Sequence, residues 1–304
     1  MGAIPDRGSD VLIEDSAQSV ADPPLLFEAL ALVTSLTNAL GVTLIARGMK
    51  GSKPIVAAFY SVAIQTAILV AVLLTRLPQL NLVAVGYFAL GGVLSLGVAR
   101  LLNFVAMRGL GVAKTSALIG SSPVITTLLS IIILSESPDL ATIAGAATVA
   151  LGVALISGAS GFKIEKALLI GLASALAYSL SNIASKSGVQ LQPDPFLSAT
   201  TGAVAGLAFI SVYLAATGQT RDLSISRQSL ACFAATGVLS SVGWLTMMKA
   251  LETGSVSVVT TIVYSYPLFA LITTRLLMRE EKLTTRTIVG STLVVLGVAV
   301  VTLL

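Results

Sequence analysis

The sequence has no histidine and only one cysteine, Cys232. Catalysis by an imidazole base and Cys/His zinc sets are therefore excluded, and one thiol cannot close a disulfide within the chain. Charge is scarce too: Asp, Glu, Lys and Arg make up 11% of 304 residues, against roughly 25% in soluble domains. Aromatics reach only 5%, with a single tryptophan, Trp244. What fills the chain instead is apolar: hydrophobic residues are 55% of it. Too little polar surface remains to cover a water-soluble fold, so the lipid bilayer is the expected partner. The net charge of +4 does not point to nucleic acid, because the basic residues fall in short loops between apolar stretches. No residue set calls for a metal or a cofactor.

A bilayer crossing needs about 20 apolar residues. Breaks at charge, Gly and Pro divide residues 25–304 into ten such stretches. The first five run about Leu26–Ala46, Pro54–Leu74, Leu80–Leu102, Val112–Leu134 and Leu140–Ser157. The second five run about Ala167–Ser185, Phe196–Ala216, Leu230–Ala250, Ser255–Leu277 and Thr287–Leu304. Residues 1–24 are polar and mostly acidic, and are expected to form a disordered tail. Of the 18 Lys and Arg residues, 13 follow odd-numbered stretches, including Arg47, Lys50, Arg108, Lys166, Arg227 and Arg275. Cytoplasmic loops retain basic residues, so both termini are expected on the non-cytoplasmic side.

A shift of 144 residues lays the second half over the first. Ser35-Leu36-Thr37-Asn38 meets Ser179-Leu180-Ser181-Asn182, Pro123 meets Pro267, and Glu136 meets Glu280. One inserted residue later, Gly145 and Gly152 meet Gly290 and Gly297. Apolar matches are cheap in such a sequence; an ordered series of Asn, Pro, Glu and paired Gly is not. An odd number of crossings per repeat inserts the second repeat upside down. The expected fold is therefore an all-α integral membrane protein, with ten transmembrane helices as two inverted five-helix repeats, 25–158 and 159–304. Inverted repeats are typical of secondary transporters, whose sites lie near the midplane between the repeats.

The doubled pattern of a mid-span Pro, an acidic turn and glycines seven apart resembles the drug/metabolite transporter superfamily, in its EamA-like ten-span branch. That resemblance implies a central cavity lined by the first, third and fourth spans of each repeat, with the fifth spans packed together as scaffold. The chain departs from many relatives in having no arginine in its second span, where Ala57–Gln65 is uncharged. It also lacks the membrane-embedded glutamate of small multidrug resistance relatives. Glu28, near the start of the first span, is the nearest candidate for coupling, with hydration at a helix N-terminus as the plainer reading.

Candidate binding residues follow from polarity inside spans, where an unpaired polar group is expensive. Asn38 and Asn182 form a repeated pair that either bonds helices together or lines a cavity. Tyr178 and Ser181 share a stripe with Ser174 and Ser185 on the sixth span. Pro123 and Pro267 cannot bond the carbonyls of Ile119 and Val263, so they mark kinks or hinges. Ser121, Ser122, Tyr264 and Ser265 stand beside them, available to those carbonyls or to a ligand. Trp244 suits either a membrane interface or the cavity. Arg100 and Asn103 close the third span, so the guanidinium either snorkels to water or clamps an anion at the cytoplasmic mouth. Gly145, Gly152, Gly290 and Gly297 provide small faces for packing between the fifth and tenth spans.

The functional expectation is an exporter of small organic solutes (metabolites, amino acids or drugs) in a bacterial inner membrane, with a homo-oligomer left open. A non-transporting scaffold or sensor subunit is the alternative. An intramembrane lipid-modifying enzyme fits less well, for want of histidine and of any mid-span aspartate.

Overall fold

A computed structural model of the chain describes residues 26–76, 78–134, 140–157, 166–254, 256–278 and 284–303. The acidic tail and the turns around Glu136 and Glu280 lie outside these residues. The described elements are helical: α1 (Leu26–Gly48), α2 (Pro54–Leu73), α3 (Leu82–Gly92), a π-helical segment (Val93–Ala99), α4 (Arg100–Leu110), α5 (Val112–Ile119), α6 (Ser122–Leu134) and α7 (Leu140–Ser157). The second half adds α8 (Lys166–Leu191), α9 (Pro195–Ala216), α10 (Arg227–Thr253), α11 (Val256–Val263), α12 (Tyr266–Leu277) and α13 (Thr285–Leu303). Among the described residues six continuous helices are long and apolar enough to cross a membrane, including the run Leu82–Leu110 that joins α3, the π segment and α4.

The outward helix faces are apolar, and the inward ones mix small, polar and apolar residues. On α1 the outward face carries Leu32, Val33, Leu36 and Leu40, while Ala31, Thr34, Ser35 and Ala39 are buried. On α8 Leu169, Leu176 and Leu180 face out over buried Gly171, Ser174, Ala175 and Ser179. Lipid offers no penalty to exposed leucine, and small interior residues let helix backbones approach.

The two halves interleave instead of standing side by side. The first helix of each half packs on the third helix of the other, α1 on α10 and α8 on α3–α4. The second helices pair, α2 on α9, and so do α7 and α13. At that last contact a side chain added at Gly152 would meet the Gly290 carbonyl, and one at Gly297 would meet the Gly145 carbonyl. The same close approach joins α3 to α9, where a Cβ on Gly92 would overlap the Gly202 backbone.

Four of the stretches differ from the sequence expectation. The third does not end at Leu102 but continues to Leu110, and the sixth runs past Ser185 to Leu191. In both cases a charged residue taken as a boundary has found a partner inside the protein. Lys186 Nζ donates to the carbonyls of Leu251 at 2.8 Å and Gly254 at 3.0 Å. It thereby caps the C-terminus of α10, where a cation is favoured. The fourth and ninth stretches are not kinked single helices; each divides into two, α5/α6 and α11/α12. Ser121 Oγ donates to Leu118 O at 2.6 Å, and Ser265 Oγ to Ile262 O at 2.7 Å. These are equivalent positions in the two halves, and the carbonyls served lie one residue before those named from the sequence.

Gly92→Val should destabilise the protein by about 1–3 kcal/mol through overpacking against α9. Gly86→Val is the control, because nothing lies within 4 Å of its added carbon. Melting of the purified variants in detergent checks this, and Gly92→Val is expected to melt lower than Gly86→Val.

Candidate functional site

The π-helical segment sets the direction of Arg100. Its wider turn, in which the Arg100 N–H reaches back to Ser95 O, rotates the helix that follows. Carbonyls loosened by such a turn need other donors. Ser95 Oγ and Ser181 Oγ donate to Gly91 O at 2.8 and 2.7 Å, and Ser174 Oγ donates to Ala99 O at 2.7 Å. The α8 serines therefore hold the π turn in place.

Arg100 then points to the interior. It lies ten residues before Leu110, roughly 15 Å along the helix, too far for its side chain to reach water at that end. Its Nη1 donates to Gln65 Oε1 on α2 at 3.0 Å, and Gln65 Nε2 reaches Ser240 O at 3.4 Å. The Tyr178 phenol lies against Arg100 and Asn103. Snorkelling is thus replaced by an internal contact. The arginine missing from the second span is answered by a glutamine there, which receives an arginine from the third.

A cavity of about 90 Å³ opens in front of Arg100. Thr34, Asn38, Val42 and Ile45 of α1 line it along three helical turns, facing Tyr178 and Asn182 of α8. Ser95, Arg100, Asn103 and Phe104 line it from the third helix, and Ser240, Trp244 and Met247 from α10. The break between α11 and α12 adds Val263, Tyr264 and Tyr266. Tyr264 stands between two other rings, 6.3 Å from Tyr178 and 6.4 Å from Tyr266 by centroid. Its hydroxyl accepts from Asn182 Nδ2 at 3.4 Å.

Of the residues singled out from sequence, Asn38, Asn182, Tyr178, Tyr264, Trp244, Asn103 and Arg100 converge on this cavity. Ser181 and Ser122 are not among its lining residues. Ser181 bonds Gly91 O, and Ser122 Oγ donates to Ala175 O at 3.1 Å, tying α6 to α8. The polar face of α8 therefore divides: Ser174 and Ser181 serve neighbouring backbone, and Tyr178 and Asn182 face the cavity. Glu28 is also outside the lining; one of its carboxylate oxygens is buried without a partner among the described residues. Pro123 and Pro267 sit in the first turns of α6 and α12, and Pro267 Cγ lies near Gly120 in the opposite break.

Sequence reading passed over Gln65 and Tyr266 as site residues. A lone mid-span amide was the available signal for the first, and adjacency to Pro267 for the second.

Two lining groups have unmet hydrogen-bonding capacity. Asn103 Oδ1 and Trp244 Nε1 are buried with no partner among the described residues. Among the described residues the lining offers no acidic side chain. Among them it offers one cation, amides, phenols and an indole, groups suited to binding.

Trp244 is the only tryptophan, so its emission reports on this cavity alone. Asn182→Ala should shift that emission. Ser181→Ala should leave it unchanged while lowering stability by about 1 kcal/mol, the usual worth of a hydrogen bond. Emission spectra and melting curves of the two variants check the division of the α8 stripe.

The sequence profile described as the EamA-like transporter family matches the chain twice, over residues 25–158 and 165–303. A solved structure titled only "Crystal structure of protein" is 18% identical over 91% of this chain and 96% of its own, with a TM-score of 0.65. That likeness concerns the fold. No curated protein matches the sequence. With both halves matched, the chain belongs to the EamA-like transporter family, integral membrane transporters of the drug/metabolite type.

Proposed function

We propose that this protein is a secondary transporter that exports small organic solutes by alternating access through the cavity between its halves. The observation that carries this reading is the repeated pair Asn38 and Asn182, equivalent in the two halves and both on the cavity wall. Asn38 makes no side-chain hydrogen bond among the described residues, so its amide is available to a solute.

Ten crossings are the count behind this proposal: the six long helices, the broken pairs α5–α6 and α11–α12, and the paired α7 and α13. Residues 25–158 and 159–304 then form inverted five-helix repeats, with residues 1–24 as a tail outside them. The distribution of Lys and Arg supports non-cytoplasmic termini, and a bacterial inner membrane is the setting proposed.

Ligand pockets usually measure roughly 300–1,000 Å³, so a cavity of about 90 Å³ is constricted. Widening it requires the lining helices to part, and the breaks before Pro123 and Pro267 provide flexible points for that movement. The paired glycines of α7 and α13 hold the two repeats together meanwhile. In this reading Glu28, outside the cavity lining, is the candidate for ion coupling.

Untargeted profiling of solutes released by bacteria expressing the protein tests the proposal. Wild type is expected to enrich at least one solute outside the cells, and Asn38→Ala/Asn182→Ala to lose most of that enrichment at equal membrane abundance. Equal export by the double variant would remove the asparagines from the site. No enriched solute with either protein would count against export.

A further inference from the structure

The central cavity holds a full positive charge and no negative one to answer it. Among the described residues Arg100 is the only charged one in the lining, and the groups against it are neutral: the Gln65 amide oxygen, to which it donates, and the Tyr178 phenol. A guanidinium is charged at any physiological pH and offers five donors in a planar fork suited to a carboxylate. At a bilayer centre an arginine costs roughly 2.5–3.5 kcal/mol even on lenient insertion scales. Intramembrane charges are usually answered by an opposite charge, and no carboxylate lines the cavity among the described residues.

The groups around it are equally specific. Trp244 Nε1, a donor, and Asn103 Oδ1, an acceptor, are buried and unpartnered at the same cavity. The rest of the wall mixes uncharged polar groups, among them Thr34, Asn38, Asn182 and Ser240, with apolar and aromatic ones, and Tyr178, Tyr264 and Tyr266 stand in edge and tilted contact. An ammonium would find no carboxylate in this lining and would be repelled by Arg100.

We propose that the cavity selects organic monoanions: a carboxylate-type group on Arg100, an apolar or aromatic body against the tyrosines, and a neutral donor to Asn103. This deepens the reading of the cavity as the transport path and rests on it. Arg100 forks to the anion, Trp244 Nε1 supplies a further donor, and Gln65 holds the guanidinium in position. Cations are excluded by charge, and neutral isosteres leave Arg100 unanswered.

The test titrates Trp244 emission of purified full-length protein with four solutes that share one phenylpropyl skeleton. They are 3-phenylpropionate, 3-phenylpropan-1-ol, 3-phenylpropylamine and phenylalanine. The carboxylate is expected to give a saturable change, phenylalanine a weaker one, and the alcohol and amine none over the same range. Arg100→Gln should weaken the carboxylate response by roughly tenfold or more, as loss of a charge-assisted bond implies, and Arg100→Lys should restore part of it. Equal or stronger responses to the amine or alcohol, or an unchanged carboxylate response in a folded Arg100→Gln protein, would overturn the inference. If that variant fails to fold, the ranking of the four solutes on wild type decides alone. A wild-type protein that answers none of them also overturns it, while solute-release profiling still decides transport separately.

Discussion

In a bilayer, a backbone carbonyl that loses its helical partner cannot turn to water and must find a donor inside the protein. Much of the architecture here follows from that constraint. The π turn frees carbonyls on the third helix, and Ser174 and Ser181 of α8 reach across to Ala99 and Gly91. The proline breaks free others, and Ser121 and Ser265 fold back onto Leu118 and Ile262. Thr34 does the same across α1 and α10, donating to Gly243 O at 3.1 Å. The π turn and both proline breaks are thus fastened by hydroxyls. Those fastened irregularities bring Arg100, Tyr264 and Tyr266 to the cavity.

The halves share this scaffold and differ in what they present to the cavity. Equivalent positions carry Arg100 and Trp244, Thr34 and Tyr178, Gly120 and Tyr264, Ser122 and Tyr266. The charge comes from the first half and the three tyrosines from the second. Only the asparagines Asn38 and Asn182 face the cavity as an identical pair. Duplication accounts for the interleaved helices and for the glycine contact between α7 and α13. Divergence accounts for a lopsided cavity, cationic on one side and aromatic on the other. The anionic solute proposed here would bind in one orientation, because its charged end has one place to go.

The helices and the repeat were legible in the sequence because each rests on patterns local to the chain: apolar length, and an ordered series of Asn, Pro and Gly at one offset. Helix ends were legible only where charge meets water. Arg100 and Lys186 look like boundaries in sequence, yet both lie within helices, held by Gln65 and by the end of α10. Those partners are distant in the chain, and no periodicity reveals them. The α8 stripe shows the same limit. Its spacing identifies a polar face, but which residues meet backbone and which meet the cavity depends on the helix opposite. Proline marked the right places on α6 and α12, while the extent of the change, a full break instead of a bend, depended on Gly120 and on Ser121 and Ser265.

The claim on which the account turns is that this cavity is reached alternately from the two sides of the membrane. Thiol accessibility at Asn182→Cys, with Cys232→Ser as background, tests it most directly in vesicles of known and opposite orientation. The account predicts modification by an impermeant reagent from both sides, with transported solute protecting the site in each case. Modification from one side only, unchanged by any solute that the protein moves, would contradict it.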